Sequence, residues 1–147
     1  SRCEETWGPA CRAVIHYETH IHPLWGLPRP VFDDDGITEL PDEDRTCTTC
    51  HGRLDDQGRA RNPDAGLDLS DGASAVVSQQ FRAYRELLVD NSVMSAQGSL
   101  ASSAFTDIFA SGGSHEGFLS PAELKMISEW LDLGAQYFND PFVVPQD

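Results

Sequence analysis

Cys47-Thr48-Thr49-Cys50-His51 is the stretch on which the reading of this 147-residue chain turns. Two thiols three positions apart, followed at once by an imidazole, form the Cys-x-x-Cys-His pattern of covalent haem attachment. The spacing has a chemical reason. Both sulfurs can add to the two vinyl groups of one porphyrin, and the adjacent imidazole then lies under the ring and ligates its iron. Cys47 and Cys50 are therefore expected as thioether links, and His51 as the proximal ligand, of a single haem c; the pattern occurs once. A thioredoxin-like dithiol would call for a βαβ setting, and neither Asp44-Arg45-Thr46 nor Gly52-Arg53-Leu54 supplies an apolar strand. A structural zinc would need more ligands than the motif offers. The two remaining cysteines, Cys3 and Cys11, are remote and are expected to pair as a disulfide in an oxidising compartment.

The second axial ligand is less specified. His16, His20, His22, His115, Met94 and Met126 are the available strong-field donors. Met126 falls inside a helical pattern and reads as core. His16 and His20 share a helical face at i, i+4. Met94 stands in the polar loop Asn91-Ser92-Val93-Met94-Ser95, off any apolar stripe. His115 lies in Gly112-Gly113-Ser114-His115-Glu116-Gly117, and a glycine-flanked loop can approach a porphyrin face closely. An open, five-coordinate iron is the remaining alternative.

Outward from the motif, the chain divides by composition. Residues 1–72 are loop-rich, with a short helix expected over Tyr17 to Leu24, a Pro- and Gly-rich linker at Pro28, Pro30 and Gly36, and turn residues throughout 52–72. Residues 73–138 are the helical part. Val76, Val77, Phe81, Tyr84, Leu87 and Leu88 predict an amphipathic helix over 73–90, and Leu100 to Phe109 predict a second over 99–110. Ser120-Pro121-Ala122-Glu123 predicts a capping box opening a third, with Leu124, Ile127, Trp130 and Leu131 on one face and Gly134 ending it. No β-hairpin and no internal repeat is expected. The fold class read from this is mostly α: one domain over 1–147, wrapped around the haem, with long loops that the cofactor organises.

Charge narrows the partners. Twenty-four Asp and Glu face ten Lys and Arg, a formal charge of -14. Nucleic acid is excluded as a partner, because phosphate contacts need clustered cations, and so is an anionic membrane surface. No apolar run is long enough to span a bilayer. Beyond Arg85 the only basic residue is Lys125, so a redox partner with a basic docking patch is expected, its association weakening with salt. Asp33-Asp34-Asp35-Gly36 could supply oxygen ligands to calcium but does not follow the twelve-residue loop pattern, and an acidic surface turn is the plainer reading. The chain opens at Ser1 without a leader and reads as a mature fragment or a monomeric domain of a larger chain.

With these residues on the page, the chain resembles the mono-haem c-type cytochrome domains of large secreted bacterial multidomain proteins, those joined to polysaccharide-binding modules or found in hydrazine-synthase-like contexts. The resemblance covers most of the chain. Tyr17-Glu18-Thr19-His20-Ile21-His22-Pro23-Leu24-Trp25 is similar to the family's entry helix, and Met94-Ser95-Ala96 with Ala101-Ser102 to its central segment. Leu119 to Leu124, then Glu129-Trp130-Leu131-Asp132-Leu133-Gly134-Ala135-Gln136-Tyr137-Phe138-Asn139, is similar to its C-terminal helix. The resemblance implies a cytochrome c-like helical fold, periplasmic or extracellular export, and electron transfer rather than catalysis. In simpler relatives a distal methionine precedes the last helix. Here no methionine lies between Phe109 and Leu124, and His115 stands in that place. Bis-histidine ligation through His51 and His115 therefore ranks first, with Met94 and His20 as alternatives. The competing function is a small peroxidase-like or ligand-binding haem domain with an open iron, using Arg45, Arg53 or an early histidine as acid–base groups.

Overall fold

The computed structural model describes residues 14–138. The expected Cys3–Cys11 disulfide lies outside them.

The chain enters through a π-turn at Tyr17–Ile21 and a one-turn helix α1 at Pro23–Gly26. Proline at 23 cannot donate to the preceding turn, which is why the expected single helix is two pieces. Next comes an element the sequence reading did not expect: a hairpin of β1, Pro30–Phe32, and β2, Glu39–Asp44, paired antiparallel with a bulge between Pro30↔Asp44 and Phe32↔Glu39. It was invisible to periodicity because β2 is mostly acidic and its strands bury no alternate apolar row. The turn chemistry makes it instead. Asp35 Oδ1 accepts from the backbone N–H of Ile37 and Thr38, its Oδ2 accepts from the Thr38 hydroxyl, and Asp33 N–H donates to Thr38 O. These bonds hold the Asp35 carboxyl below its usual range. Asp35 is thereby engaged in closing the turn.

The motif helix α2, Cys47–Cys50, follows directly on β2. The helix expected over 73–90 is confined to its second half, α3 at Arg82–Arg85 running into a π-turn at Glu86–Asp90. Buried Ser74 explains the shortening. Its hydroxyl accepts from the N–H of Val76 and Val77 and its amide donates to Gln80 O, so residues 74–80 close a loop of their own. Val76, counted for the helix's apolar face, is 69% exposed. The helix expected over 99–110 is likewise a 3-10 turn at Ser99–Ala101 followed by α4, Ser103–Phe109. The break falls at buried Ser102, whose hydroxyl accepts from Ser95 N–H and donates to Gly98 O. Leu100 is left fully exposed rather than in the core.

The last helix, α5, runs Pro121–Asp132 and carries both bonds of the capping box expected from Ser120 and Glu123, a motif worth about 1 kcal/mol. Glu123 also accepts from both terminal guanidinium nitrogens of Arg29, which ties the helix start to the residue before β1, itself hydrogen-bonded to Arg45 and Thr46. Ile127, Trp130 and Leu131 are buried from α5. They meet Tyr17, Ile21, Trp25 and Leu87, while Tyr17 packs on Tyr84, Trp130 and Tyr137 at ring separations of 5.1, 5.5 and 5.6 Å. The N-terminal loop region is thus pinned to the C-terminal helix through aromatic burial. Helical turns hold 38% of the described residues, so the regular structure is helix-dominated with a small hairpin, a mixed class rather than the mostly α one expected. No helix among the described residues is long and apolar enough to cross a membrane.

Candidate functional site

Thr46 is extended, and its amide donates to Asp44 Oδ1; Asp44 Oδ2 accepts from the Thr49 hydroxyl. The single turn of α2 follows, closed by His51 N–H donating to Cys47 O at 2.8 Å. At its far end the Arg61 guanidinium donates to the carbonyls of Thr48, Thr49 and Gly52. A cation on the last carbonyls of a helix satisfies acceptors that have no partner inside it. Gly52 is required by this packing: a Cβ there would stand 2.4 Å from Thr48 O.

Cys47 is half-buried and Cys50 exposed, and both are free thiols. Burial pushes the Cys47 thiol up, and neighbouring Arg29 opposes this without reversing it. Cys47 is therefore not a thiolate poised for disulfide exchange, which requires the opposite shift.

His51 lines an apolar cavity of about 290 Å³. Leu67, Leu69, Leu87, Phe105, Phe109 and Phe118 supply much of its wall, and Trp25 closes another side. Across from His51 stands His115. The two imidazoles are 6.2 Å apart between centroids, with planes inclined by 27°. His51 Nδ1 lies 3.0 Å from Asp64 O, and His115 Nδ1 lies 2.9 Å from Ser114 Oγ. Each ring therefore has its Nδ1 engaged and its Nε2 without a described partner, the arrangement in which an outer-shell bond orients an imidazole for a metal. Two imidazoles bound end-on at about 2 Å from one ion would have centroids about 6 Å apart, a separation close to that of these two rings. Burial, with the neighbouring His51 as a smaller contribution, holds His115 below the usual imidazole range and favours its neutral, ligating form.

The loop that presents His115 is built for close approach. A Cβ at Gly113 would meet Ile108 O at 2.3 Å, and His115 N–H donates to that same carbonyl at 2.8 Å. Phe109 and Phe118 flank the ring at 5.6 and 5.0 Å.

The other candidates are elsewhere. Met94 is a core residue, 2% exposed, and does not line the cavity. His20 Nδ1 accepts from His16 N–H. His22 is buried against Phe81 and bonded to Asp71, and Met126 packs on the aromatic core. Arg53 is bound to Asp68, and Arg45 lies 5.2 Å from the centre of the Phe118 ring. Sequence reasoning missed Asp64, Ser114, Gly52 and Arg61. The first and last act through backbone carbonyls or on them, so their identities carry no local pattern. Among the described residues no three His, Cys, Asp or Glu side chains converge as an ion cage. The cavity wall is mostly apolar and includes Cys47, Cys50, His51 and His115. Comparison with known protein families, with curated proteins and with solved structures finds no match to this chain.

Proposed function

We propose that the chain carries one haem c, bound through Cys47 and Cys50 with His51 and His115 as axial ligands, in a cytochrome c-like arrangement, and moves single electrons between a donor and an acceptor. The observation that supports this most is the pair of imidazoles facing each other across an apolar cavity beside the Cys-x-x-Cys turn, each with Nδ1 engaged. Bound there, the haem supplies a one-electron iron couple. The protein's part is to hold the two imidazoles, exclude water with Trp25 and the phenylalanines, and fix the motif with Arg61. Two strong ligands leave no open iron position, which disfavours the peroxidase-like alternative. Of its candidate acid–base groups, Arg53 is already committed to Asp68.

A tetrapyrrole is larger than the cavity, so this reading has one edge facing solvent. The exposed hairpin, with Asp33, Asp34, Asp35, Glu39, Glu43 and Asp44, leads directly into the motif, and an electron-transfer partner with a basic face suits it. Thioether attachment and the expected Cys3–Cys11 bridge both suit a periplasmic or extracellular domain of a secreted protein.

The test is attachment. Expressed with a cytochrome c maturation system, the chain should keep one haem through denaturing electrophoresis, with an alkaline pyridine spectrum of the two-thioether type. Replacing Cys47 and Cys50 together by serine should remove it. A chain that emerges colourless beside a correctly matured control cytochrome refutes the reading.

A further inference from the structure

The apolar cavity beside the motif does not stand alone. A second, more open cavity of about 490 Å³ adjoins it, between β1 and the segment that leads from the His115 loop into α5. Arg45 and Phe118 belong to the walls of both. The first cavity, about 290 Å³, is too small for a tetrapyrrole, so part of the ring system has to leave it somewhere.

Charge indicates where. Haem carries two propionate carboxylates, and an ionised carboxylate is costly against an apolar wall unless a cation meets it. Among the described residues that line the first cavity, Asp44 and Arg45 alone carry a full charge. Asp44 has the wrong sign, and its oxygens already accept from Thr46 N–H and the Thr49 hydroxyl. Arg45 is half-buried, with its guanidinium carbon 5.2 Å from the centre of the Phe118 ring. Such stacking holds a cation in place without neutralising it.

The other described arginines make the contrast. Arg29 is committed to Glu123 and to Leu24 O, Arg53 and Arg82 to Asp68, Arg59 to Asp55, and Arg85 to Asp90. Arg61 is spent on the carbonyls of the motif turn. The Arg45 side chain has no carboxylate or carbonyl partner among the described residues. That is notable in a chain where Asp and Glu outnumber Lys and Arg by 24 to 10.

We propose, on the haem reading given above, that the second cavity is the propionate subsite and that Arg45 binds a propionate there as a bidentate, charge-assisted pair. A guanidinium suits the task because its planar fork matches a carboxylate. The covalent order of the porphyrin agrees with the position of Arg45. Each vinyl-bearing pyrrole adjoins one that carries a propionate, and Arg45 stands between the end of β2 and Cys47. Phe118, on which Arg45 stacks, lies 5.0 Å from the His115 ring. Arg45 is thus a positioning residue that links the seating of the ring to the segment presenting its second axial ligand. Its charge also favours the ferrous state, in which the iron has one positive charge fewer.

The test compares the haem-loaded wild-type chain with Arg45→Gln, Arg45→Lys and Arg59→Gln, haem content being measured separately for each. Resonance Raman spectra read the propionate-bending band, and redox titration reads the midpoint potential. Arg59→Gln makes the same change in net charge at a side chain that is 70% exposed and lines neither cavity. Arg45→Gln breaks no described side-chain hydrogen bond, so it should keep the haem and the low-spin spectrum while shifting the propionate band and lowering the potential. Arg45→Lys keeps the charge but not the fork, and should hold the potential near that of the wild type with the band still shifted. Arg59→Gln should leave both as they are. A wild-type propionate band in Arg45→Gln, or a potential shifted equally by Arg45→Gln and Arg59→Gln, overturns the proposal and leaves the haem reading standing. If Arg45→Gln does not fold, a wild-type band in Arg45→Lys overturns it in the same way. Four proteins without haem overturn both.

Discussion

If the chain carries haem as proposed, His115→Ala should turn a low-spin, six-coordinate protein into a high-spin one. His115 lies across the cavity from His51 with its Nε2 open, and no other imidazole or thioether among the described residues lines that space. The half-buried ring also contacts Phe109 and Phe118, and losing such aromatic contacts costs about 0.5–1.5 kcal/mol each. The protein should therefore still fold and keep its haem through Cys47 and Cys50. The reduction potential should move by on the order of 100 mV, axial ligation being the strongest single lever on it. Met94→Leu is the matched control: a volume-conserving core exchange costing less than about 1.5 kcal/mol, with no change in the spectrum. Absorption spectra of the ferric and ferrous forms decide it. A low-spin spectrum kept by His115→Ala and lost by Met94→Leu would assign the sulfur ligand instead.

The largest loss of stability is expected from Asp68→Asn. Asp68 has a side chain 1% exposed, and its Oδ2 accepts from Arg53 and Arg82 while its Oδ1 accepts from both Ser70 groups. It joins the segment after the motif to α3, and the next residue, Leu69, donates its amide to His51 O while its side chain lines the cavity. Removing one partner of a buried ion pair costs about 3–5 kcal/mol. Arg53 is half-exposed, so water screens part of the charge and the lower end, about 3 kcal/mol, is expected. Against a domain stability of about 5–15 kcal/mol this is severe, and urea titration of both proteins measures it. Burial by itself would raise the Asp68 carboxyl, but its bonds from Ser70, Arg82 and Arg53 outweigh burial and hold it below the usual range. A folded-state pKa below the unfolded one stabilises fully above about pH 4. The contribution disappears as pH falls through the lowered folded value. The wild-type protein should therefore lose stability on acidification below about pH 4, and Asp68→Asn should flatten that slope. Equal slopes would show that Asp68 is not the group responsible.

Both expectations bear on how far the fold would depend on the proposed haem. The long N-terminal loops suggested a core adequate only with a porphyrin inside. The aromatic centre built from Tyr17, Trp130, Leu131 and Tyr137 is packed without any contribution from the cavity. A haem bound as proposed would contribute through the cavity walls: the turn after His51, α4 and the His115 loop.

Local chemistry was legible wherever it was complete within a few residues. Ser120, Pro121 and Glu123 contain the whole of a capping box, and both of its bonds are present. The expectation failed where a side chain found a partner that periodicity does not register. Ser74 and Ser102 each bonded nearby backbone and broke an apolar pattern that otherwise read as helix. The acidic β2 became a strand because Asp35 closed its turn.

By itself, then, the sequence determined the chemistry available to this protein: two thiols and an imidazole at the spacing of covalent haem attachment, and an acidic surface. Which second ligand could face His51 was open, because six donors were scattered over more than a hundred residues and helical register orders none of them in space. Tertiary structure decided which donor shares the cavity. Met94 went to the core and His22 to Asp71, while packing of Gly113 against the Ile108 carbonyl carried His115 to the far wall of the cavity. The deciding contacts were a backbone approach within residues 108–115 and a side-chain bond between His22 and Asp71, 49 positions apart, and neither follows a period that the order of residues displays.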